Sequence, residues 1–302
     1  MKKLIYSIFT AVALIFSIGT KASAQTDNTL FTYPQAPDEL TTLYQRCNYL
    51  VDHFWDRCNY STAFLNKKKL NDAFGHWIGF MPYATADTVH MAVDRLIDKV
   101  KKSGPNTLTL AQMAERWLWA DSAEILSEEI YLPFAKAAAT HKKISNAERA
   151  RFASHVKQIE NSSVGSQLPP LKLTAPDGSK SLLSDYDATN VVIFFNDPDC
   201  TECNMARVRL SADFNARRLI EAGKLTIISI YPGDPGNTQW LAAATEYPQN
   251  WITVAAPDAD EYFDLRTTPA IYLANTKVIK VKNLPVDNLI NAFGVMGRKL
   301  NN

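Results

Sequence analysis

The run "NVVIFFND", Asn190 to Asp197, constrains this chain more than any other stretch. Its apolar residues are consecutive, β-branched or aromatic, and contain no Gly or Pro. That pattern suits a strand covered on both faces, in the middle of a parallel sheet. The surrounding sequence supplies both neighbours and covers. "KLTIISIYPG" reads as a second buried strand, and "WITVAA", "PAIYLA" and "KVIKVK" as three more. Between them lie an amphipathic segment from Cys200 to Ala222, the helix-like "TQWLAAATEY" and "DADEYFDL", and a closing helix from about Val286 to Lys299. In the first of these, Met205, Val208, Ala212, Ala216 and Leu219 are expected to form one buried face. Upstream, "LKLTAPDGSKSLLSDY" alternates around Asp177-Gly178, a hairpin signal. Strands alternating with helices predict an α/β domain with a central sheet over residues 169–302.

Before residue 161 the rhythm is helical. "DELTTLYQRCNYLVDHFWD" spaces Leu40, Leu43, Cys47, Leu50, Val51 and Phe54 by three and four, one face of a helix. "DTVHMAVDRLIDKVKKSG" repeats the device through Val89, Val93, Ile97 and Val100, with Gly104 as an expected stop. "TLAQMAERWLWADSAEILSEEIYLPFAKAAATH" predicts two further helices, and "SNAERARFASHVKQIE" another started by Ser145. The expectation is an all-α domain of five or six helices over residues 25–160. Trp55, Trp77, Trp117 and Trp119 are expected to pack its core rather than line a groove. "NSSVGSQLPP" breaks the period, so residues 161–168 read as a linker.

The chain opens "MKKLIYSIFTAVALIFSIGTKASAQ". A basic start, an apolar core of about 15 residues and a small-residue site at Ala22-Ser23-Ala24 form the layout of a secretory signal peptide. Residues 1–24 are therefore expected to be removed, leaving Gln25 first and no membrane span, because the apolar core is shorter than the roughly 20 residues a span needs. The expected location is the periplasm or cell envelope. With 32 Lys and Arg against 31 Asp and Glu, spread along the chain, no basic run points to nucleic acid. Four cysteines are too few for a disulfide-built scaffold, so the fold must rest on apolar cores.

Two of those cysteines carry the chemistry. Cys200 and Cys203 stand two residues apart, where the buried strand ends and a helix begins. The unpaired N–H groups at a helix N-terminus favour a thiolate. One turn on, Cys203 can reach back to Cys200, so one thiol can attack a disulfide and the other resolve the adduct. A zinc site lacks a second ligand pair. Cys47 and Cys58 have the wrong spacing, and His53, His76, His90, His141 and His155 all lie in the other half. The remaining alternative is a structural disulfide in a non-catalytic binding module whose helical domain recognises a partner.

Three segments carry a resemblance: the hairpin "LPPLKLTAPDGSKSLLSDY", the junction "VVIFFNDPDCTEC", and "YFDLRTTPAIYLAN". Over roughly residues 165–302 the chain resembles the exported thiol–disulfide oxidoreductase branch of the thioredoxin family. The resemblance implies a thioredoxin-like fold, a central mixed sheet flanked by helices. It also implies that Pro269 is held cis beside the cysteines and that Thr268 offers its backbone to a substrate chain. Cys200 would attack and Cys203 resolve, with no metal or organic cofactor. Partners would be thiols or disulfides of envelope proteins and a membrane electron donor. Around "YLVDHFWD" the helical half is similar to uncharacterised domains found ahead of such modules in bacterial envelope proteins, which implies no activity.

The chain also departs from the family. An aromatic usually precedes the first cysteine, and here Asp199 does. Thioredoxin has a buried acid where this chain has Phe194. Peroxiredoxins need Thr or Ser where it has Asp197. Asp199 and Glu202 oppose a Cys200 thiolate by like-charge repulsion. The expectation is a reductase or isomerase whose potential lies nearer about −270 mV than the roughly −120 mV of a strong oxidant. Cys47 and Cys58 would lie about 16 Å apart in an unbroken helix rising ~1.5 Å per residue. A bridge needs Cα atoms within roughly 7 Å, hence a chain that folds back near Trp55. The sequence leaves bridged and free states open.

Overall fold

The computed structural model describes residues 29–120 and 122–300, so the signal peptide read over residues 1–24 lies outside it. The chain divides into two compact units, with the boundary between Val156 and Lys157.

The first unit is helical. Its helices are α1 Leu43–His53, α2 Tyr60–Ala63, α3 Lys67–Phe80, α4 Ala86–Val100, α5 Gly104–Leu118, α6 Glu128–Thr140 and the start of α7, Asn146–Ser162. Capping sets where α1 begins. Thr42 and Gln45 exchange hydrogen bonds in a capping box, each at 3.2 Å. Leu40 therefore precedes the helix and Leu43 stays exposed, which narrows the expected apolar face to Cys47, Leu50, Val51 and, at the C-cap, Phe54. Gly104, expected as a stop, instead opens α5. Ser103 caps that helix and Pro105 sits in its first turn, where a missing N–H costs nothing. A Cβ at Gly104 would come within 2.8 Å of Lys143, so close approach of two chain segments requires glycine there.

Aromatic rings fill this core. Trp77 is fully buried and donates its indole N–H to the Val51 carbonyl at 3.0 Å. Trp55 and Trp119 are also buried, and Trp117 is half-buried, donating to Asn71 at 3.1 Å. All four tryptophans thus belong to packing.

The second unit is a seven-stranded mixed sheet covered by helices. Its strands are β1 Lys172–Thr174, β2 Lys180–Leu182, β3 Asn190–Phe195, β4 Thr226–Tyr231, β5 Ile252–Ala255, β6 Ala270–Asn275 and β7 Val278–Val281. They run in the order β2-β1-β5-β4-β3-β6-β7. β3 pairs parallel with β4 and antiparallel with β6, so the strand singled out by its apolar run is central. Alternation divides it between two cores. Val191, Ile193 and Phe195 pack on one face with Ile230, Phe263 and Tyr272. Val192 and Phe194 pack on the other with Leu210, Ile227, Leu289 and Phe293.

Two expectations change here. The segment from Cys200 to Ala222 is not one helix but two, α8 Thr201–Ala212 and α9 Phe214–Glu221. Asp213 ends the first and caps the second, accepting from the Ala216 N–H at 2.7 Å. The break changes the phase, so α8 buries Cys203, Ala206 and Leu210 while Met205 and Val208 face solvent. Residues 161–168, read as a linker, begin in helix and then run beside β7. The Gly165 and Leu168 N–H groups donate to the Ile279 and Lys277 carbonyls at 2.8 and 2.7 Å. Helices α10 Thr238–Ala244 and α11 Val286–Arg298 complete the unit, and "DADEYFDL" supplies only a 3-10 turn at Ala259–Glu261.

Candidate functional site

Register brings the site together. Phe195, the last residue of β3, pairs with Ala270, the first of β6. The loop leaving β3 and the loop entering β6 therefore emerge side by side at one end of the sheet. The first carries Asp199 and Cys200, the second Thr268 and Pro269. The Thr268–Pro269 peptide bond is cis.

Cys200 is the N-cap of α8 and is joined to Cys203 by a disulfide, with Cα atoms 5.2 Å apart. The Cys203 N–H points at Cys200 Sγ from 3.1 Å. On reduction that donor would stabilise a Cys200 thiolate together with the helix N-terminus. The two sulfurs differ in access: Cys200 is half-buried, whereas Cys203 is only 2% exposed. Cys200 Sγ lies 3.8 Å from the Thr268 carbonyl oxygen and 3.9 Å from Thr268 Oγ1. As half of a disulfide it carries no proton, so the first approach is a contact and the hydroxyl is the donor in the second.

The two acids differ in their surroundings. Glu202 is exposed in the first turn of α8. Asp199 is held from two sides: its N–H donates to Asp197 Oδ1 at 2.8 Å, and its carboxylate accepts from Gln239 Nε2. The carboxylates at this end of the sheet act on a neighbouring phenol. Burial first, and then Asp197, Asp199 and Asp234, push the Tyr231 phenol up.

Behind the loop lies a polar cluster that the sequence reading missed. Asn196 is buried at the end of β3, donating to Ser229 Oγ at 2.8 Å and to the Phe194 carbonyl at 3.0 Å. Its oxygen accepts from Tyr247 at 2.6 Å. This network anchors the start of the cysteine loop. A polar residue directly after a continuous apolar run was its sequence signal. Gln239 carried none, because only the tertiary fold brings α10 to Asp199.

Cys47 and Cys58 are free thiols, the first buried and the second half-buried. Burial pushes each up to about 11, with Arg46 opposing slightly at Cys47. Both thus keep their protons at neutral pH and are poor nucleophiles. Alkylation of native Cys58 by iodoacetamide is expected to accelerate about tenfold per pH unit well beyond pH 9, where an ordinary thiol near 8.5 levels off. A plateau at pH 9, read by mass spectrometry, would contradict the burial.

Among the described residues no cluster of His, Cys, Asp and Glu could hold a metal ion, and no helix is long and apolar enough to cross a membrane.

Comparison with known proteins bears on the fold. Residues 17–162 match the family described as "Domain of unknown function (DUF5106)". No curated protein matches the chain in sequence. Among solved structures, the chain is similar to a thioredoxin-like protein from Bacteroides caccae. Identity is 22%, the match covers 88% of this chain and 98% of that one, and the TM-score is 0.70. Part of the chain also matches the thioredoxin domain of a thiol-disulfide oxidoreductase from Bacteroides vulgatus, at 23% identity over 44% of this chain and 97% of that one, TM-score 0.38. A thiol:disulfide interchange protein from Bacteroides sp. matches at 22% identity over 46% and 92%, TM-score 0.39. The second unit has a thioredoxin-like fold, and the region ahead of it is helical.

Proposed function

We propose that the protein is an exported thiol–disulfide oxidoreductase, a reductase or isomerase acting on envelope proteins. One observation carries the reading. The disulfide joins a half-buried cysteine, set at a helix N-terminus beside the Thr268 backbone, to a fully buried one. That asymmetry suits a division of labour. A dithiol donor first reduces the pair, transferring two electrons and two protons. The Cys200 thiolate then attacks one sulfur of a substrate disulfide, forming a mixed disulfide and expelling the other sulfur as a thiolate. Cys203 loses its proton and attacks Cys200, releasing the reduced substrate and restoring the Cys200–Cys203 bond. Thr268 and Pro269 would form the shelf on which the substrate backbone lies. No metal or organic cofactor enters these steps.

The signal-peptide layout read in residues 1–24 supports the envelope setting, and a membrane electron donor would keep the pair reduced there. Intact mass of envelope-purified protein tests this, with Gln25 expected first.

The catalytic reading is tested by reduction of insulin with dithiothreitol, monitored as turbidity. The protein is expected to shorten the lag. An unchanged lag would leave the pair a structural cross-link in a binding module.

Asp199 and Glu202 would set the direction of the reaction. Each places negative charge near the developing Cys200 thiolate, which withholds stabilisation from the reduced form. Asp199→Asn with Glu202→Gln is expected to raise the potential by about 30 mV or more, measured by equilibration with glutathione. A lower potential would reverse the assignment.

A further inference from the structure

The loop that leaves β4 runs beside the one that carries the cysteines. Phe195 and Ile230 are register partners at the ends of β3 and β4, and the next N–H, that of Asn196, donates to the Ile230 carbonyl at 3.0 Å. Tyr231 therefore ends β4 at the level where the cysteine loop begins, and residues 232–237 then lead into α10. Three contacts fix where that helix starts. Trp240 is 1% exposed and stacks on the Tyr231 ring, with centroids 5.8 Å apart and planes 14° from parallel. Asn237 caps the helix, accepting from the Trp240 N–H at 2.9 Å. The Asn237 N–H in turn donates to the Asp234 carbonyl at 3.0 Å.

Gln239 stands in this frame between the cap and the buried tryptophan. It is exposed, and its amide Nε2 donates to Asp199 Oδ1. Among the described residues no Lys, Arg or His pairs with Asp199. The distinction matters because a neutral amide holds a carboxylate in place without cancelling its charge, whereas a cation would do both. Asp199 directly precedes Cys200, so the held charge opposes the thiolate formed on reduction. A carboxylate free to rotate turns away from a like charge and lets water screen it. Release of Asp199 can therefore only lessen the repulsion and favour the reduced pair.

We propose that Gln239 is a positioning residue of the redox centre, holding the Asp199 carboxylate beside Cys200 and so keeping the pair reducing. The role rests on the oxidoreductase reading above. It brings α10 into a site otherwise built from the cysteine loop and the Thr268 loop.

The test equilibrates the cysteine pair of the full-length protein with glutathione and reads the reduced fraction by alkylation and mass spectrometry. Gln239→Ala, at an exposed position, is expected to shift the equilibrium about threefold toward the reduced pair, or about 14 mV for a two-electron couple. Alkylation of reduced Cys200 should also begin to accelerate at lower pH, because its thiolate is less opposed. In an Asp199→Asn background the same substitution should change neither, since no charge remains to be held. In a Glu202→Gln background it should keep its full effect. A merely loosened loop would act alike in both backgrounds. An unchanged or lower potential in Gln239→Ala, or equal shifts in the two backgrounds, would overturn the proposal and leave the oxidoreductase reading standing. A wild-type pair that does not exchange with glutathione would sink that reading, and the positioning role with it.

Discussion

Cys200→Ser is expected to reduce disulfide exchange to the uncatalysed rate, while Cys203→Ser accumulates mixed disulfides that do not resolve. The physical reason is access. A nucleophile must reach the substrate sulfur as a thiolate, and of the two only Cys200 is partly exposed and caps the helix N-terminus. Cys203, at 2% exposure, lies beneath it and can attack only the Cys200 sulfur of the mixed disulfide, expelling the substrate thiolate. The N–H that points at Cys200 Sγ from 3.1 Å survives either substitution, because it belongs to the Cys203 backbone. In Cys203→Ser, Cys200 therefore keeps its activation and loses only its resolving partner. Non-reducing electrophoresis and mass spectrometry of envelope extracts should show adducts on Cys203→Ser alone. Equal trapping by both variants would mean that the two sulfurs are interchangeable, against the burial difference. Trapping by neither would favour a structural cross-link.

The parts of this site differ in how plainly the sequence announced them. Cys200 and Cys203 were legible because a continuous apolar run ended directly before them, so strand, loop and helix N-terminus followed from local pattern. Thr268 and Pro269 were found through the resemblance of "YFDLRTTPAIYLAN". Their approach to Cys200 is a tertiary fact, set by the pairing of Phe195 with Ala270. The outer face of α8 was misread for a reason of the same kind. Met205, Val208 and Ala212 share a helical stripe with Ala216 and Leu219 only if the helix is continuous. Asp213 ends it, and Met205 and Val208 are then 53% and 57% exposed. Capping also explains the misjudged role of Gly104. A glycine preceded by Ser and followed by Pro signals a start, whereas the helix-stop reading joined it to Lys101 and Lys102 as the end of the preceding helix. The free state of Cys47 and Cys58 was not legible at all, because spacing left both outcomes open and only the packing around each thiol decides.

Phe195→Ala is expected to cost the second unit about 3–5 kcal/mol, among the largest effects of a single substitution in it. Phe195 is fully buried and its ring lies 4.9 Å from that of Phe263 and 6.0 Å from that of Tyr272, so truncation opens a cavity lined by rigid rings that collapse poorly. The residue also closes the register that sets β3 beside β6, one step from the loops that carry Cys200 and Thr268. Loss should therefore appear twice. Native-state hydrogen exchange of the β3, β4 and β6 amides should speed up by roughly two to four orders of magnitude, as a penalty of this size requires where global opening governs exchange. Disulfide exchange should lose efficiency at temperatures where the unit remains folded, because the two loops are then less tightly held. Phe195→Leu, which keeps most of the apolar volume, should recover the greater part of both. A measured cost below about 1 kcal/mol would mean that the ring is not packed as described. A full cost with unchanged exchange kinetics would mean that β3 and β6 stabilise the sheet without positioning the site.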